Sequence, residues 1–581
     1  MGKRAFKLYH FNCVTMSKIY SLKIRHFRGI SDFEQTFGDQ NCVVLIGRGD
    51  SGKTTILKAI SCVLSPVWNT TFTDLDFTNR DTSTPILIEA VILDAPEELF
   101  ALNKYGEYYQ LLKDGTLTSD IEDENADQSK KVLKVRLFVD DSLMPQWMVV
   151  SDREIGEKVF AHGDRAKLNM FMISDYVDNH FAYSKGSPLY STLRKSLDKD
   201  NRNTPDKRIT EIVRSAYEQI KGSNVFEEFD DATNKIKENA QRLGLTLDDL
   251  KTILEFKDNA YSESSLSLHS EDIPFRLRGK GSKRLLSIAI QYGLAEEGGI
   301  VLIDEIEQGL ESDRARNLAR LLARSTSGQV FITTHSKDVI LEPKANQLFL
   351  MQKGASHIQP FDETLQGTLR AKPEAFFAKK IISCEGATEE GIIRAFSDDL
   401  QATRGYGIAV QGIVHIDGSG HNKFYKYAIT FNNIGIKALV FCDDDNRDVD
   451  EDKDAAIKAG VKVVLCEKGN AIEQQLFNDL PWEGVCDLIK YAVEEHGEES
   501  ILKNNGFEEF DKIETATSDR QTELRIQFGN KAKSKQAWFK SINHGEFLGR
   551  TWLKYLNQME ADSILRKEYE EIKTWIGNDI N

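Results

Sequence analysis

CVVLIGRGDSGKTTILKAI, residues 42–60, runs from an apolar stretch through a loop bracketed by Gly47 and Gly52 into a helical pattern. Gly47, four residues, then Gly52, Lys53 and Thr54 spell G-x-x-x-x-G-K-[ST] between strand and helix, the context in which that pattern is specific. Its glycines let backbone N–H groups approach phosphate oxygens, and the helix N-terminus favours negative charge. Lys53 would reach the β- and γ-phosphates and Thr54 would ligate Mg²⁺, with Gly49, Ser51 and Thr55 completing the loop.

Such a loop needs an acidic partner. GGIVLIDEIEQGLE (298–311) supplies an apolar strand ending in Asp304, for the Mg²⁺ shell, and Glu305, to orient an attacking water. Upstream, FRLRGKGSKRLLSIAI (275–290) sets Gly279, Gly281 and Ser282 before an amphipathic helix, a second possible phosphate-binding helix start. Downstream, QVFITTHS (329–336) is a strand leading to His335 and Ser336. In this serial order the parts resemble the ABC-type ATPases of the SMC and RecF kind. The resemblance implies ATP as ligand and His335 at its γ-phosphate. It also implies a signature loop with Gly281 and Ser282 that completes the site of another subunit, hence a homodimer or higher homo-oligomer. Two departures point to slow or regulatory turnover: RGKGSKR stands where the family has a Ser-Gly-Gly stretch, and no Gln occurs between Ser51 and Tyr109.

A second motif set follows the last ATPase strand. LVFCDDDN (439–446) drives a buried strand into three acids, and side-chain alternation places Asp443 and Asp445 on one side with Asp444 elsewhere. Like charges about 5 Å apart repel by roughly 3 kcal/mol at an effective dielectric of about 20. A hard divalent cation is the usual compensation. KKIISCEGATEEGIIRAF (379–396) reads as strand, turn and helix, with Glu385 and Glu389 converging across Gly386. Helix capping explains Glu389 and Glu390 equally well, but not Glu385 at a strand end. Cys384 and Cys442 read as packing residues, since hard metals prefer oxygen.

E-G-x-x-E, a β-α unit and then D-x-D resemble the TOPRIM domain of topoisomerases, primases and OLD (overcoming lysogenization defect) nucleases. With the ATPase preceding it, the chain resembles the OLD family, including nuclease subunits of Gabija-type systems and retron-associated effectors. The resemblance implies a DNA substrate and a role in defence against phage. It makes Glu473, in VKVVLCEKGNAIEQQLF (461–477), a further metal ligand beside Glu385, Glu389, Asp443 and Asp445. It makes Lys540, in SKQAWFKSINHGEFLGRTWL (534–553), the cation that steadies a phosphate transition state, with Lys533 and Lys535 as competitors. Mg²⁺ or Mn²⁺ would occupy the acidic site. A helicase, or a retron reverse transcriptase with its RNA–DNA product, would be the protein partners. The alternatives are an ATP-dependent DNA clamp with a non-catalytic TOPRIM domain and a topoisomerase, which would need a DNA-gate tyrosine.

The expected fold is α/β: an SMC/RecF-like ATPase, a Rossmann-like TOPRIM domain and a C-terminal helical extension. Its segments are ATPase halves at 1–164 and 266–365, a helical, dimer-forming insertion at 165–265, a linker at 366–376, TOPRIM at 377–545 and the extension at 546–581. Residues 1–15 read as an addition before the fold, with Met16 the expected natural start, and 119–128 as a surface loop. A net charge of -16 excludes bulk attraction to nucleic acid, so any DNA contact needs a local basic groove. Seven cysteines without a C-x-x-C pair suit a reducing cytoplasm. No stretch reads as a bilayer span, and no membrane partner is expected.

Overall fold

The fold is seen in a computed structural model that describes residues 17–67, 70–118, 129–153, 155–173, 215, 219–220, 224–247, 249–256, 264–274, 277–295, 299–326, 328–358, 360–418, 423–444, 450–533 and 538–577. The chain divides into two compact units, Met1–Gln366 and Gly367–Asn581.

In the first unit an antiparallel sheet contains β1 (Lys18–Phe27), β2 (Ile30–Thr36), β4 (Ile86–Leu93), β5 (Gln110–Lys113), β6 (Thr116–Thr118), β7 (Lys130–Val139), β8 (Gln146–Val150) and β9 (Glu157–Val159). Its order is β2-β1-β4-β7-β5-β6, with β8 on β7 and β9 on β8. A parallel sheet contains β3 (Cys42–Ile46), β10 (Met170–Ile173), β14 (Ile300–Ile303), β15 (Gln329–Thr333) and β16 (Leu348–Leu350), ordered β10-β14-β15-β3-β16. β3, β14 and β15 are buried at every position, the reason they read as unbroken apolar runs rather than alternations. The amide of buried Gln329 ties the two sheets: it accepts from Ile19 N at 2.7 Å and donates to Ile19 O at 3.2 Å. Ile56, Leu57 and Ile60 of the helix Lys53–Val63 enter one core with Ile24, Ile88 and Phe331.

Two features depart from the expected segment plan. β10 pairs with β14, so the ATPase sheet takes in residues beyond 164. Across the boundary expected between the helical insertion and the second ATPase half at 265/266, the helix Asp230–Arg242 is followed by a three-stranded antiparallel sheet of β11 (Leu250–Phe256), β12 (Ser264–Ser270) and β13 (Ile273–Pro274). The stretch SSLSLHS of β12 alternates with period two, the pattern of a strand. Residues 174–214, much of that insertion, lie outside the described residues.

The second unit holds a parallel sheet ordered β18-β17-β19-β20, from β17 (Lys380–Cys384), β18 (Ile413–Asp417), β19 (Lys437–Cys442) and β20 (Lys462–Leu465). Connecting helices include Ala387–Arg404, Lys423–Asn433 and Asp450–Lys458. The expected boundary at residue 545 falls inside one continuous helix, Ile542–Tyr555. Leu548 and Trp552 of that helix, and Leu565 and Ile572 of the helix Ile564–Gly577, share one core with Ile382 and Phe441. The last helices are therefore part of the domain's core rather than an appendage.

Candidate functional site

Parallel strands deliver their carboxyl ends to one edge of a sheet, and ligands collect there. In the first unit the loop after β3 supplies the phosphate cradle, the exit of β14 supplies Asp304 and Glu305, and the exit of β15 supplies His335. Gly47 sits at φ +140°, where a Cβ would meet Met351 O at 2.2 Å, and Gly52 at φ +104° caps the helix. A side chain at Gly49 would meet no protein atom within 4 Å, which leaves its backbone open to a ligand. Lys53 is buried and donates to Gly47 O and Arg48 O, both at 2.8 Å, with Ser51 Oγ at 3.4 Å. Burial lowers its ammonium to about 8, against the opposing pull of Asp304, Glu305, Glu307 and Asp50. Thr55 lies in the first turn of the helix that Lys53 begins.

Thr54 Oγ1 donates to Asp304 Oδ1 at 3.0 Å, so the two expected Mg²⁺ ligands already meet. Buried Thr333, missed by the sequence reading, orders the acids: its hydroxyl donates to Asp304 Oδ1 at 2.6 Å and accepts from Glu305 N at 2.8 Å. Glu305 is held at φ +46°, a left-handed conformation rare for a non-glycine residue. Glu307, also missed, accepts from Thr334 Oγ1 at 2.7 Å and His335 N at 2.6 Å. Its placement two residues beyond Glu305 in IDEIE was the available signal. Burial and the nearby Lys53 lower the His335 imidazole, outweighing the three acids beside it.

Gly281 and Ser282 begin the helix Lys280–Ala295. Within this chain Gly281 serves close packing, since its Cβ would fall 2.4 Å from Gly309 O. Arg284, the last residue of RGKGSKR, donates to Asp304 O and, at 2.8 Å, to Glu305 O.

In the second unit β17 and β19 are parallel neighbours, so Glu385 and Asp443 leave adjacent strand ends. Asp443 N donates to Glu385 Oε2 at 3.2 Å, and Asp443 Oδ1 accepts from Ile472 N at 2.7 Å. Asp444 turns away to pair with Lys453 at 3.0 Å. Asp445 lies outside the described residues, as does Lys535, a competitor of Lys540. Glu389 does both things the sequence allowed: Oε2 accepts from Gly386 N at 2.9 Å as a cap, and the side chain is buried in the pocket wall. Glu390 points instead to His415, 3.1 Å away. Glu473 is fully buried, with Oε1 2.7 Å from Lys540 Nζ and, that ion pair apart, neither oxygen hydrogen-bonded among the described residues. Cys384 and Cys442 are buried packing residues, Cys442 lying 3.3 Å from the Tyr425 hydroxyl.

Glu385, Gly386, Ala387, Thr388, Glu389, Asp443 and Lys540 line a cavity of about 230 Å³. Burial pushes the Glu389 carboxyl up to about 7, with Glu473 and Glu385 adding to the rise and Lys540 opposing it. Burial, then Glu389, Glu473 and Glu385, hold Asp443 well above the usual carboxylate range. Buried like charges that raise one another in this way call for a cation. Glu385, Glu389, Asp443 and Glu473 are all oxygen donors, the chemistry that Mg²⁺ or Mn²⁺ takes. Among the described residues no three His, Cys, Asp or Glu side chains stand close enough to hold a metal as they are.

Lys540 is positioned by contacts the sequence reading missed. Thr388 Oγ1 donates to Phe539 O at 2.9 Å, His496 Nε2 lies 2.8 Å from Trp538 O, and Ser541 Oγ accepts from His544 N at 3.2 Å. The helix Ile542–Tyr555 crosses Ala387–Arg404 at near-backbone contact: a Cβ on Gly545 would be 2.1 Å from Thr388 O, and one on Gly391 2.2 Å from Ile542 O. Gly545 and Gly549, four apart, were the visible signal.

A family model described as an AAA ATPase domain matches residues 17–340, and one for the TOPRIM domain of overcoming lysogenization defect protein-like chains matches 376–445. The chain belongs to the AAA ATPase domain family and carries an OLD-like TOPRIM domain after it, an order that fits an OLD-family ATPase–TOPRIM nuclease. No curated protein matches it. Among solved structures it is similar to the SMC head domain from Thermotoga maritima (14% identity, 59% of this chain and 99% of that one, TM-score 0.28). The Pyrococcus furiosus Smc head with an extended coiled coil, bound to the C-terminal domain of ScpA, is similar at 13% identity, 61% and 99% coverage and TM-score 0.37. The recombination mediator RecF with bound nucleotide is similar at 13% identity, 60% and 99% coverage and TM-score 0.34.

Proposed function

We propose that the chain is a divalent-metal-dependent DNA endonuclease or nickase whose cleavage is regulated by ATP, acting as a homodimer or larger homo-oligomer in cytoplasmic defence against phage. The observation that supports it most is the convergence of Glu385, Glu389 and Asp443 with Lys540 in one cavity, Lys540 being paired in turn with the buried carboxylate of Glu473. Glu385, Glu389, Asp443, Asp445 and Glu473 would hold the metal. When bound, Mg²⁺ or Mn²⁺ supplies Lewis acidity and lowers the pKa of a coordinated water. The chain's residues do the rest. Glu385 and Asp443 fix one another through the Asp443 amide, Glu389 is locked by its cap to Gly386 N, and the Lys540 ammonium offers positive charge to a phosphate oxygen.

ATP would bind Gly47, Gly49, Ser51, Gly52, Lys53, Thr54 and Thr55, with Mg²⁺ on Thr54 and Asp304 and water oriented by Glu305. Gly281 and Ser282 of a second copy, and His335, would complete that site. A helicase or a retron reverse transcriptase is the class of partner proposed. Supercoiled plasmid incubated with the protein, with and without Mg²⁺, Mn²⁺ and ATP, tests this reading. Relaxed or linear product that Asp443→Ala abolishes while ATP binding persists is the expected result.

A second reading, an ATP-dependent DNA clamp whose TOPRIM domain does no chemistry, draws on the lack of a ready three-ligand metal group among the described residues. It predicts DNA retention without cleavage, unchanged in Asp443→Ala.

A further inference from the structure

We propose that Lys540 is the resident counterion of the acidic cavity, an ammonium that a divalent cation displaces when it binds. This deepens, and rests on, the reading of the cavity as a metal site.

The geometry is that of a plug. Glu473 has no exposure, whereas the Lys540 side chain is 44% exposed, so the lysine reaches from the surface and puts its Nζ 2.7 Å from a fully buried carboxylate. Among the described residues neither oxygen of that carboxylate has a hydrogen-bond partner beyond this ion pair, which leaves acceptor capacity for a cation other than the lysine. Lys540 also lines the cavity with Glu385, Glu389 and Asp443, so one ammonium pairs with a fourth carboxylate while sharing a cavity with three. A single positive charge cannot balance them, and a divalent ion bound to the same oxygens would repel it.

The backbone around Lys540 is fixed while its side chain is not. Phe539 O is tied by Thr388 and the next residue, Ser541, caps a helix, whereas the lysine stem is a flexible four-carbon chain. The ammonium can therefore leave Glu473 by rotating its own side chain, with no movement of the strands that carry the acids. Lys53 shows the contrast, its ammonium donating to backbone carbonyls of its own loop rather than to a candidate metal ligand. Displacement would present the freed Lys540 charge at the cavity mouth, where an anionic phosphate would arrive.

Competition of this kind makes an unusual prediction: removing the lysine tightens metal binding even as it removes a catalytic charge. Mn²⁺ would be titrated by calorimetry into nucleotide-free full-length chain, with Asp443→Asn defining the heat that belongs to this cavity. Lys540→Gln should bind Mn²⁺ roughly tenfold tighter or more, about 1.4 kcal/mol. Lys540→Arg, which keeps a cation, should stay within a few-fold of wild type. Because Lys540→Gln could fail to fold, the wild-type chain supplies a second measurement. An amine-reactive label on Lys540, read by mass spectrometry, should increase when Mn²⁺ is added. Equal or weaker Mn²⁺ binding by Lys540→Gln, or labelling that Mn²⁺ leaves unchanged or lowers, overturns the exchange while the metal site stands. Heat that Asp443→Asn leaves intact overturns the metal site itself, and the exchange with it.

Discussion

Gly545→Ala should destabilise the protein, although alanine is normally favoured over glycine inside a helix by about 0.8–1.0 kcal/mol. The sign is decided by what the new methyl meets. At Gly545 it would lie 2.1 Å from Thr388 O and 2.9 Å from Gly391 Cα, both backbone atoms of the facing helix. Neither can rotate away, so the helices must part by roughly 1 Å, and overpacking of this sort costs about 1–3 kcal/mol. With rigid backbone on the far side the upper end applies, leaving a net loss of about 2 kcal/mol. Gly529→Ala is the matched control. It also sits buried in a helix, but its methyl would meet Phe477 Cβ at 3.4 Å and Gln474 Cα at 3.5 Å, ordinary contacts. That variant should be as stable as wild type or gain up to about 1 kcal/mol. Urea unfolding followed by fluorescence of the buried Trp538 and Trp552 measures both. Separation of the helices also pulls Thr388 from Phe539 O, and a misplacement of about 1 Å lowers rates by about 100-fold. A Gly545→Ala chain as stable as wild type, with undiminished plasmid cleavage, would refute the argument that this crossing positions Lys540.

Thr388→Val removes the hydroxyl that holds Phe539 O and should lower kcat for cleavage with little change in KM, while Thr388→Ser restores it; equal loss in both variants would make the role one of packing. Glu305→Gly should relieve the left-handed backbone and raise unfolding stability by about 0.5–1 kcal/mol, while ATP turnover falls by about 100-fold. A destabilised Glu305→Gly would show that φ +46° carries no strain. Glu568 lies buried against the Cys466 thiol, and burial together with Asp479 and Glu571 raises its carboxyl to about 8. The folded chain thus keeps a proton that the unfolded chain releases above its ordinary value of 4.5, so stability falls as pH rises from 4.5 towards 8. At pH 7 the penalty is about 3 kcal/mol, and Glu568→Gln should remove it. Urea midpoints of the two proteins that run parallel from pH 5 to 8 would contradict this. Asp443→Asn keeps an acceptor for Ile472 N but deletes a buried charge, so in EDTA it should melt higher than wild type and lose any upward shift from Mn²⁺. A lower melting temperature in EDTA would show that the carboxylates are not in mutual repulsion.

The strands that end at the two sites were legible because parallel strands buried on both faces show as short apolar runs, and the residue after each run is where chemistry sits. Gly47, Asp304, Glu385 and Asp443 all follow that rule. Thr333, Thr388 and Arg284 do not, since each is an ordinary residue whose role comes from a partner far along the chain: Asp304, Phe539 and the carbonyl of Glu305. The three-stranded sheet β11-β12-β13 was missed because the helical reading was carried on through LKTILEF to 265, although the period-two alternation of SSLSLHS just beyond is a strand signal. The boundary at 545 failed for a different reason. The helix Ile542–Tyr555 runs through it, and Gly545 is what lets that helix touch Ala387–Arg404.

The two strand-end sites meet the same difficulty, a carboxylate at the mouth of a sheet, in different ways. Asp304 has its charge answered locally: two hydroxyls, from Thr54 and Thr333, donate to Oδ1, and the Lys53 ammonium stands close by. The TOPRIM cavity is built the other way. Glu389 and Asp443 are buried deeply enough for neighbouring carboxylates to raise them further, and the lysine there pairs with Glu473, a carboxylate that would serve as a ligand. Each charge that burial makes costly becomes affinity for a cation once one arrives, because the desolvation has already been met by folding. If the proposed exchange holds, such a site would hold its metal by relief of its own repulsion and leave the displaced ammonium where a phosphate would need it.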